Sequence, residues 1–154
     1  MNYFRLILIA AIALGFSVGA SAQTNGKKVS TPNPPATNQA AKSSPAYAEI
    51  LLEKTELESQ LEDLLVGFTD DFPKVKELRF QINLLQKQAD RLLAVGSADT
   101  NKLTVALGKL IVRKVELETA LWSLKAQYND DFPEVKRAKR KVEVFEKAIG
   151  EILP

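Results

Sequence analysis

The chain contains neither cysteine nor histidine among its 154 residues. Without cysteine it forms no disulfide bonds, so its folded part depends on packing alone. Zinc sites built on cysteine or histidine are excluded, and so is catalysis that uses histidine as the general base. We therefore predict no catalytic residue, no metal site and no cofactor, and we expect the protein not to be an enzyme.

A large excess of charge is also lacking, since 21 basic residues stand against 19 acidic ones. Such a balance gives no overall field to attract nucleic acid, so no nucleic-acid partner is expected. The charges are unevenly spread, because residues 45–94 hold 6 basic and 10 acidic side chains, whereas residues 99–154 hold 11 and 9. The first half of the predicted folded region is acidic and the second is mildly basic.

The only long apolar run lies at the N-terminus. Residues 1–22 have the features of a signal peptide: a basic start at Arg5, an apolar stretch over residues 6–18 and a small-x-small cleavage site at residues 20–22. This run is shorter than the roughly 20 residues that a membrane-spanning helix needs. We predict export to the periplasm or the extracellular space, cleavage after Ala22, and no stable membrane span in the mature chain. A retained N-terminal anchor is the alternative.

Residues 23–44 form a low-complexity segment of Pro, Ser, Thr, Asn, Ala and Lys. Val29 is its only aliphatic side chain larger than alanine. Such a segment buries too little apolar surface to offset the conformational entropy lost on ordering. We predict a disordered linker over residues 23–44.

The rest of the chain repeats itself at an offset of 60 residues. KTELESQLEDL, beginning at Lys54, aligns with KVELETALWSL, beginning at Lys114, and DDFPKVK, beginning at Asp70, aligns with DDFPEVK, beginning at Asp130. A repeat of this period indicates one supersecondary unit used twice. We place the two units at residues 45–94 and 100–154, within one domain over residues 45–154.

Apolar residues recur at alternating spacings of three and four throughout both units, which predicts helices with one apolar seam. Ser44 followed by proline is a helix start, while Gly96 and then Asp99 or Thr100 can end one helix and cap the next. Within each unit a proline fits only the first helical turn and displaces the preceding residue from helical geometry. The prediction is an all-α fold of two tandem antiparallel helical hairpins, arranged as a four-helix bundle or an antiparallel coiled coil.

The turns carry paired carboxylates, which could serve acid/base chemistry or hold a divalent cation. Carboxylates at a helix start also accept hydrogen bonds from free backbone N–H groups, and Asp131 with Glu134 matches a capping box. We favour helix capping. The predicted capping turns comprise Asp70, Asp71, Phe72, Pro73, Asp130, Asp131, Phe132 and Pro133.

Lys54 and Lys114 interrupt the apolar seam at equivalent positions. A polar seam residue can fix helix register, and a lysine stem can lie along the core with its ammonium near a carboxylate four residues on. Glu58 and Glu118 occupy those positions. We predict register or ion-paired roles for the two lysines.

Several side chains off the seam could face a partner. Phe80, Leu84 and Trp122 either pack one hairpin on the other or form a docking surface, and we favour internal packing. A basic stretch on the last predicted helix comprises Lys136, Arg137, Lys139, Arg140 and Lys141. It either binds an anionic partner or forms a solvated face opposite the acidic first hairpin, which we favour.

The turn pattern aromatic-x-Asp-Asp-Phe-Pro-x-Val-Lys, at residues 68–76 and 128–136, resembles the coiled-coil hairpins of chain-length-determinant and polysaccharide-export proteins. In that family His usually stands where this chain has Phe72 and Phe132, and the family's transmembrane helices and kinase-like domain have no counterpart here. The resemblance implies periplasmic helical hairpins and a link to polysaccharide.

Four classes of function can be compared with these observations. A non-enzymatic scaffold or adaptor that binds other cell-envelope proteins, or itself, needs no reactive residues, and we favour it. A holdase-like chaperone would use the basic stretch, and an accessory protein of polysaccharide export follows from the resemblance. A hydrolase using the paired aspartates ranks last, because nothing in the sequence positions a base or a nucleophile.

Overall fold

A computed structural model describes residues 36–153, and every regular element in this range is a helix. The predicted signal peptide and residues 23–35 of the predicted linker lie outside the described residues. The all-α prediction is confirmed. The elements are α1 (Ala36–Lys42), α2 (Pro45–Leu65), α3 (Pro73–Leu93), a 3-10 helix (Ser97–Lys102), α4 (Val105–Lys125) and α5 (Pro133–Ile152).

The two hairpins begin and turn where local sequence signals place them. The Ser44 hydroxyl accepts a hydrogen bond from the Tyr47 amide at 3.2 Å, and Pro45 is the first residue of α2. Pro73 and Pro133 start α3 and α5 in the same way. Each of these two helices returns antiparallel to the one before it, because its connecting turn is short. At 1.5 Å per residue the four long helices measure about 30 Å.

The helical region begins earlier than the predicted boundary at Ser44. Residues 36–42 form α1, so the linker prediction is wrong for this part of residues 23–44. Ala41 is fully buried, and the Ser44 hydroxyl donates a hydrogen bond to its carbonyl at 2.7 Å. Composition alone indicates disorder, but these contacts with the folded domain order the segment.

The connection between the hairpins also differs from its prediction. Asp99 and Thr100 lie inside the 3-10 helix, and the N-cap of α4 is Thr104, whose hydroxyl accepts from the Leu107 amide at 3.3 Å. Leu103 is buried just before this cap, which draws the helix start past Thr100. Thr104 stands 60 positions after Ser44, so the repeat includes its caps.

The hairpins pack side by side with α2 and α4 parallel. The amide of Ala46 donates to the carbonyl of Leu103 at 3.1 Å, and the backbone at Gly108 lies against Ala46 and Glu49. Because both helices start at one end and have equal length, both hairpin turns lie at the opposite end. Among the described helices α4 packs on α2, α3 and α5, whereas α5 packs mainly on α4.

The core therefore lies between α2, α3 and α4, with α5 on its flank. Only Val135 and Ile149 of α5 are buried. No described helix is long and apolar enough to cross a bilayer. The main core cluster comprises Ala41, Ala46, Ile50, Leu57, Leu78, Leu85, Ala89, Leu92, Leu103, Leu107, Ile111, Val115, Ile149 and Leu153.

Candidate interaction surface

The two hairpin turns have the same aromatic arrangement. Phe68 stacks on Phe72 with ring centroids 4.1 Å apart, and Tyr128 stacks on Phe132 at 4.3 Å. Phe72 and Phe132 have extended backbones with ψ of 131° and 136°, as the following proline requires. Each turn thus presents two stacked rings beyond the end of its hairpin.

The aspartates of the turns do not cap the helices, which corrects the prediction. Phe72 and Phe132 occupy the N-cap positions, and neither start has a side-chain capping hydrogen bond. The carboxylates lie one or two residues too early to reach the free amides and pair with lysines and arginines of the hairpins. Asp71 contacts Lys76 at 2.9 Å and Asp131 contacts Lys136 at 3.1 Å.

The earlier aspartate of each pair joins more distant residues. Asp70 pairs with Arg79, and Asp130 lies 3.2 Å from Lys125 and 3.1 Å from Lys139, on the two arms of its hairpin. The predicted capping box is absent, because Glu134 pairs with Arg137. The paired carboxylates therefore tie each turn to its own helices.

Replacing Asp130 by Asn should lower the melting temperature at pH 7. Hydrogen bonds from Lys139, and then from Lys125, hold the pKa of Asp130 below its usual value. A lowered carboxyl pKa stabilises the fold above the unfolded-state pKa of about 3.9, and this stabilisation is lost as the pH falls through the folded-state pKa. Thermal melts should show a lower melting temperature for the variant than for the parent at pH 7, and similar melting temperatures near pH 2.

Glu143→Gln is the matched control for this prediction. Glu143 is exposed on α5 and has no ion-pair partner among residues 36–153. Its substitution should leave the melting temperature almost unchanged at both pH values. An equal loss for both variants at pH 7 would show that the Asp130 contacts contribute nothing specific.

The predicted ion pairs of the two seam lysines are confirmed. Lys54 lies 3.1 Å from Glu58, and Lys114 lies 3.5 Å from Glu118. The Lys114 side chain is buried and also pairs with Glu146 of α5. This contact ties α5 to α4 and gives Lys114 a structural role.

Phe80 and Trp122 pack one hairpin on the other, as favoured from the sequence. Their rings stack with centroids 4.9 Å apart, joining α3 to α4. Leu84 is partly buried against the core. These three side chains pack mainly against other residues of the chain, although part of the Trp122 ring is exposed to solvent.

The basic stretch of α5 does not face the acidic first hairpin, because α4 lies between them. Lys136, Arg137 and Lys139 pair with carboxylates of their own turn and helix instead. Arg140 and Lys141 are exposed and have no ion-pair partner among the described residues. The favoured opposition of the two hairpins is therefore wrong, while the solvent exposure is confirmed.

A groove that no described residue covers runs between α4 and α5, and the spacing of the apolar residues does not reveal it. Leu117 and Phe145 lie in it, with Arg113 and Lys141 at its edges, and Val144 beside them is 65% exposed. The apolar seam has the same pattern in both hairpins, so the pattern alone does not show which hairpin is covered. A position-by-position comparison of the repeats identifies the difference once burial is known.

One carboxylate sits in an unfavourable place between the hairpins. Burial raises the pKa of Glu53, and the charges of Glu116 and then Glu56 raise it further. No cluster of three or more acidic side chains in the described part could hold a metal ion there. The raised pKa means that ionised Glu53 destabilises the fold at neutral pH.

Replacing Glu53 by Gln should stabilise the protein at pH 7, by about 0.5 kcal/mol or less because the group is only partly buried. The difference in free energy of unfolding between parent and variant should disappear as the pH falls through the raised pKa of Glu53, since the carboxyl is then protonated. Urea denaturation at pH 7 and pH 3 measures both free energies of unfolding. A less stable variant at pH 7 would contradict the raised pKa.

Comparisons with known proteins give no relative: no family model, no curated protein and no solved structure matches this chain.

Proposed function

We propose that this protein is an exported, non-enzymatic helical scaffold or adaptor that binds other cell-envelope proteins. The main support is the pair of equivalent hairpin turns at one end of the helical domain. Phe68 is 47% exposed and Tyr128 is 41% exposed, each as the outer ring of an aromatic stack. Exposed, rigid aromatic rings are the usual anchors of protein interfaces.

The duplication gives the proposed surface two binding elements within one helical domain. A partner that contacts both turns gains from a second, intramolecular contact without needing higher affinity at either. The aspartates of each turn pair with basic side chains of their own hairpin, and contacts that hold a binding surface in place lower the ordering cost of binding. Side chains suited to chemistry are not needed for such a role.

Site-specific photo-crosslinking tests the proposal. A photoreactive residue at Phe68 or Tyr128 should capture one stoichiometric protein partner in intact envelopes, and the same residue at Glu151, on the other end of α5, should not. Capture of many unrelated unfolded proteins would instead indicate a holdase. Capture of polysaccharide alone would indicate an export accessory, and turnover of a small substrate without any partner would contradict the proposal altogether.

A variant series measures the contribution of each turn. Phe68→Ala and Tyr128→Ala should each weaken partner binding, and the double substitution should abolish it, while circular dichroism stays unchanged because both rings are exposed. If one single substitution removes all binding and the other none, only one turn is used.

Export is tested on the N-terminus itself. Mass spectrometry of the protein recovered outside the cytoplasm should give a chain that begins at Gln23. A chain that retains Met1 would mean that the first segment serves as an anchor.

A further inference from the structure

The second hairpin attaches to the first through one face of α4. This face enters the groove between α2 and α3, where Trp122 stacks on Phe80 and the Ser123 hydroxyl lies 3.2 Å from Glu77. The contact within the chain is thus the first helix of one repeat lying in the groove of the preceding repeat. The buried residues of this face are Gly108, Ile111, Val115 and Thr119.

The first helix of the first repeat carries the same face, and no residue within 36–153 covers it. Its residues stand 60 positions earlier in the chain, and all of them are exposed. Leu51 is 48% exposed and its neighbour Leu52 is 58% exposed. This face of α2 consists of Ala48, Leu51, Thr55 and Ser59.

The groove of the second repeat likewise has no cover from the described part of the chain. In the first repeat Leu78, Gln81 and Leu85 are buried. Their equivalents in the second repeat are more exposed in each case, and Lys141 and Val144 lie open to solvent. Those equivalents are Ala138, Lys141 and Phe145.

We propose that copies of this chain stack head to tail, with α2 of one copy in the α4–α5 groove of the next. The contact would continue between copies the packing that joins the two hairpins within the chain. Repeat proteins bury such faces by stacking neighbours. Because the two surfaces differ, the contact is heterologous and leaves a free face at each end of the stack. It does not depend on the proposed binding at the hairpin turns.

Charge complementarity supports a second copy as the occupant of the groove. Three residue pairs within the chain define the register: Trp122 stacks on Phe80, Ser123 contacts Glu77, and Glu116 and Gln81 line the same cleft. Shifted by 60 positions, each of them brings an acidic residue of α2 to a basic residue of α5. These pairs are Glu62 with Arg140, Asp63 with Arg137, and Glu56 with Lys141.

The contact between copies should be weaker than the one within the chain. Ala48 carries a Cβ where Gly108 has none, and a Cβ at Gly108 would lie 3.0 Å from the backbone of Ala46. The two copies must therefore stay slightly further apart than the two hairpins. Much of the attraction is between exposed charges, so added salt should dissociate the stack.

Sedimentation of the purified mature protein, with residues 23–44 retained, tests the proposal. At low salt the average mass should rise with concentration beyond a dimer, and it should fall when salt is added. Leu51→Glu blocks only the α2 face and Val144→Glu blocks only the groove. Each variant alone should be monomeric, whereas an equimolar mixture should form a one-to-one dimer through the two unchanged surfaces.

Asn83→Glu is the control, since it adds the same charge at an exposed site on α3 outside the proposed contact. It should associate like the parent, and circular dichroism should show that all three variants are folded. A parent protein that remains monomeric at every concentration, or a mixture of Leu51→Glu and Val144→Glu that remains monomeric, would overturn the proposal. A closed dimer of the parent would also overturn it.

Discussion

Replacing Gly108 by Ala should destabilise the protein by about 2 kcal/mol, although alanine is the better helix former by about 1 kcal/mol. Gly108 is buried in α4 where that helix meets α2. An added Cβ would lie 2.8 Å from the Glu49 Cβ and 3.0 Å from the Cα and carbonyl oxygen of Ala46. Two of these atoms are backbone, so the helices must separate and lose packing along their whole contact. Urea denaturation gives the change in the free energy of unfolding.

Gly150→Ala is the matched control within the same fold. Gly150 is also helical, but a Cβ there meets nothing within 4 Å. Alanine should therefore stabilise α5 by about 0.5 kcal/mol, because it reduces the entropy of the unfolded chain. The two substitutions are chemically identical and should have opposite signs. Equal effects would mean that the α2–α4 approach is looser than described.

The helix ends that the sequence predicted correctly depend on neighbouring residues only. Proline at positions 73 and 133 is restricted by its own ring, and the Ser44 cap acts three residues along the chain. These effects operate in any fold that forms a helix there. The seam spacing similarly predicts a hairpin before its neighbours are known.

The predictions that failed depended on which of several partners a side chain would choose. Asp130 could accept from backbone amides or from lysines, and only the folded turn brings Lys125 and Lys139 within reach. Residues 36–42 form a helix because Ala41 is buried against the folded domain. Composition describes the intrinsic preference of such a segment and contains no information on that contact.

The sequence also did not show which of the two hairpins is covered by the other. Both hairpins carry the same apolar seam, so the pattern predicts equal cover for both. One signal was present: α2 carries Leu51 and Leu52 outside its apolar seam, and an entirely solvated face would not need them. Ile111 stands 60 positions after Leu51 and is buried between the hairpins. The comparison shows that Leu51 lies on the face that is covered in the second repeat and exposed in the first.

Replacing Ile111 by Ala should destabilise the protein by about 2–5 kcal/mol, the usual cost of truncating a large buried aliphatic residue. Ile111 is 1% exposed and belongs to the core between the hairpins. Leu51 occupies the same position in the first repeat but is largely exposed. Leu51→Ala should therefore cost less than about 0.5 kcal/mol, as surface substitutions usually do. Chemical denaturation of both variants measures the difference.

The same pair separates folding from self-association. Ile111→Ala should lower stability at every protein concentration, because its contacts lie within one chain. Leu51→Ala should leave the stability of the dilute monomer unchanged and weaken only the concentration-dependent increase in mass. Similar losses of stability from the two substitutions would show that α2 buries Leu51 within its own chain. That result would leave α2 without a free apolar face to offer a second copy.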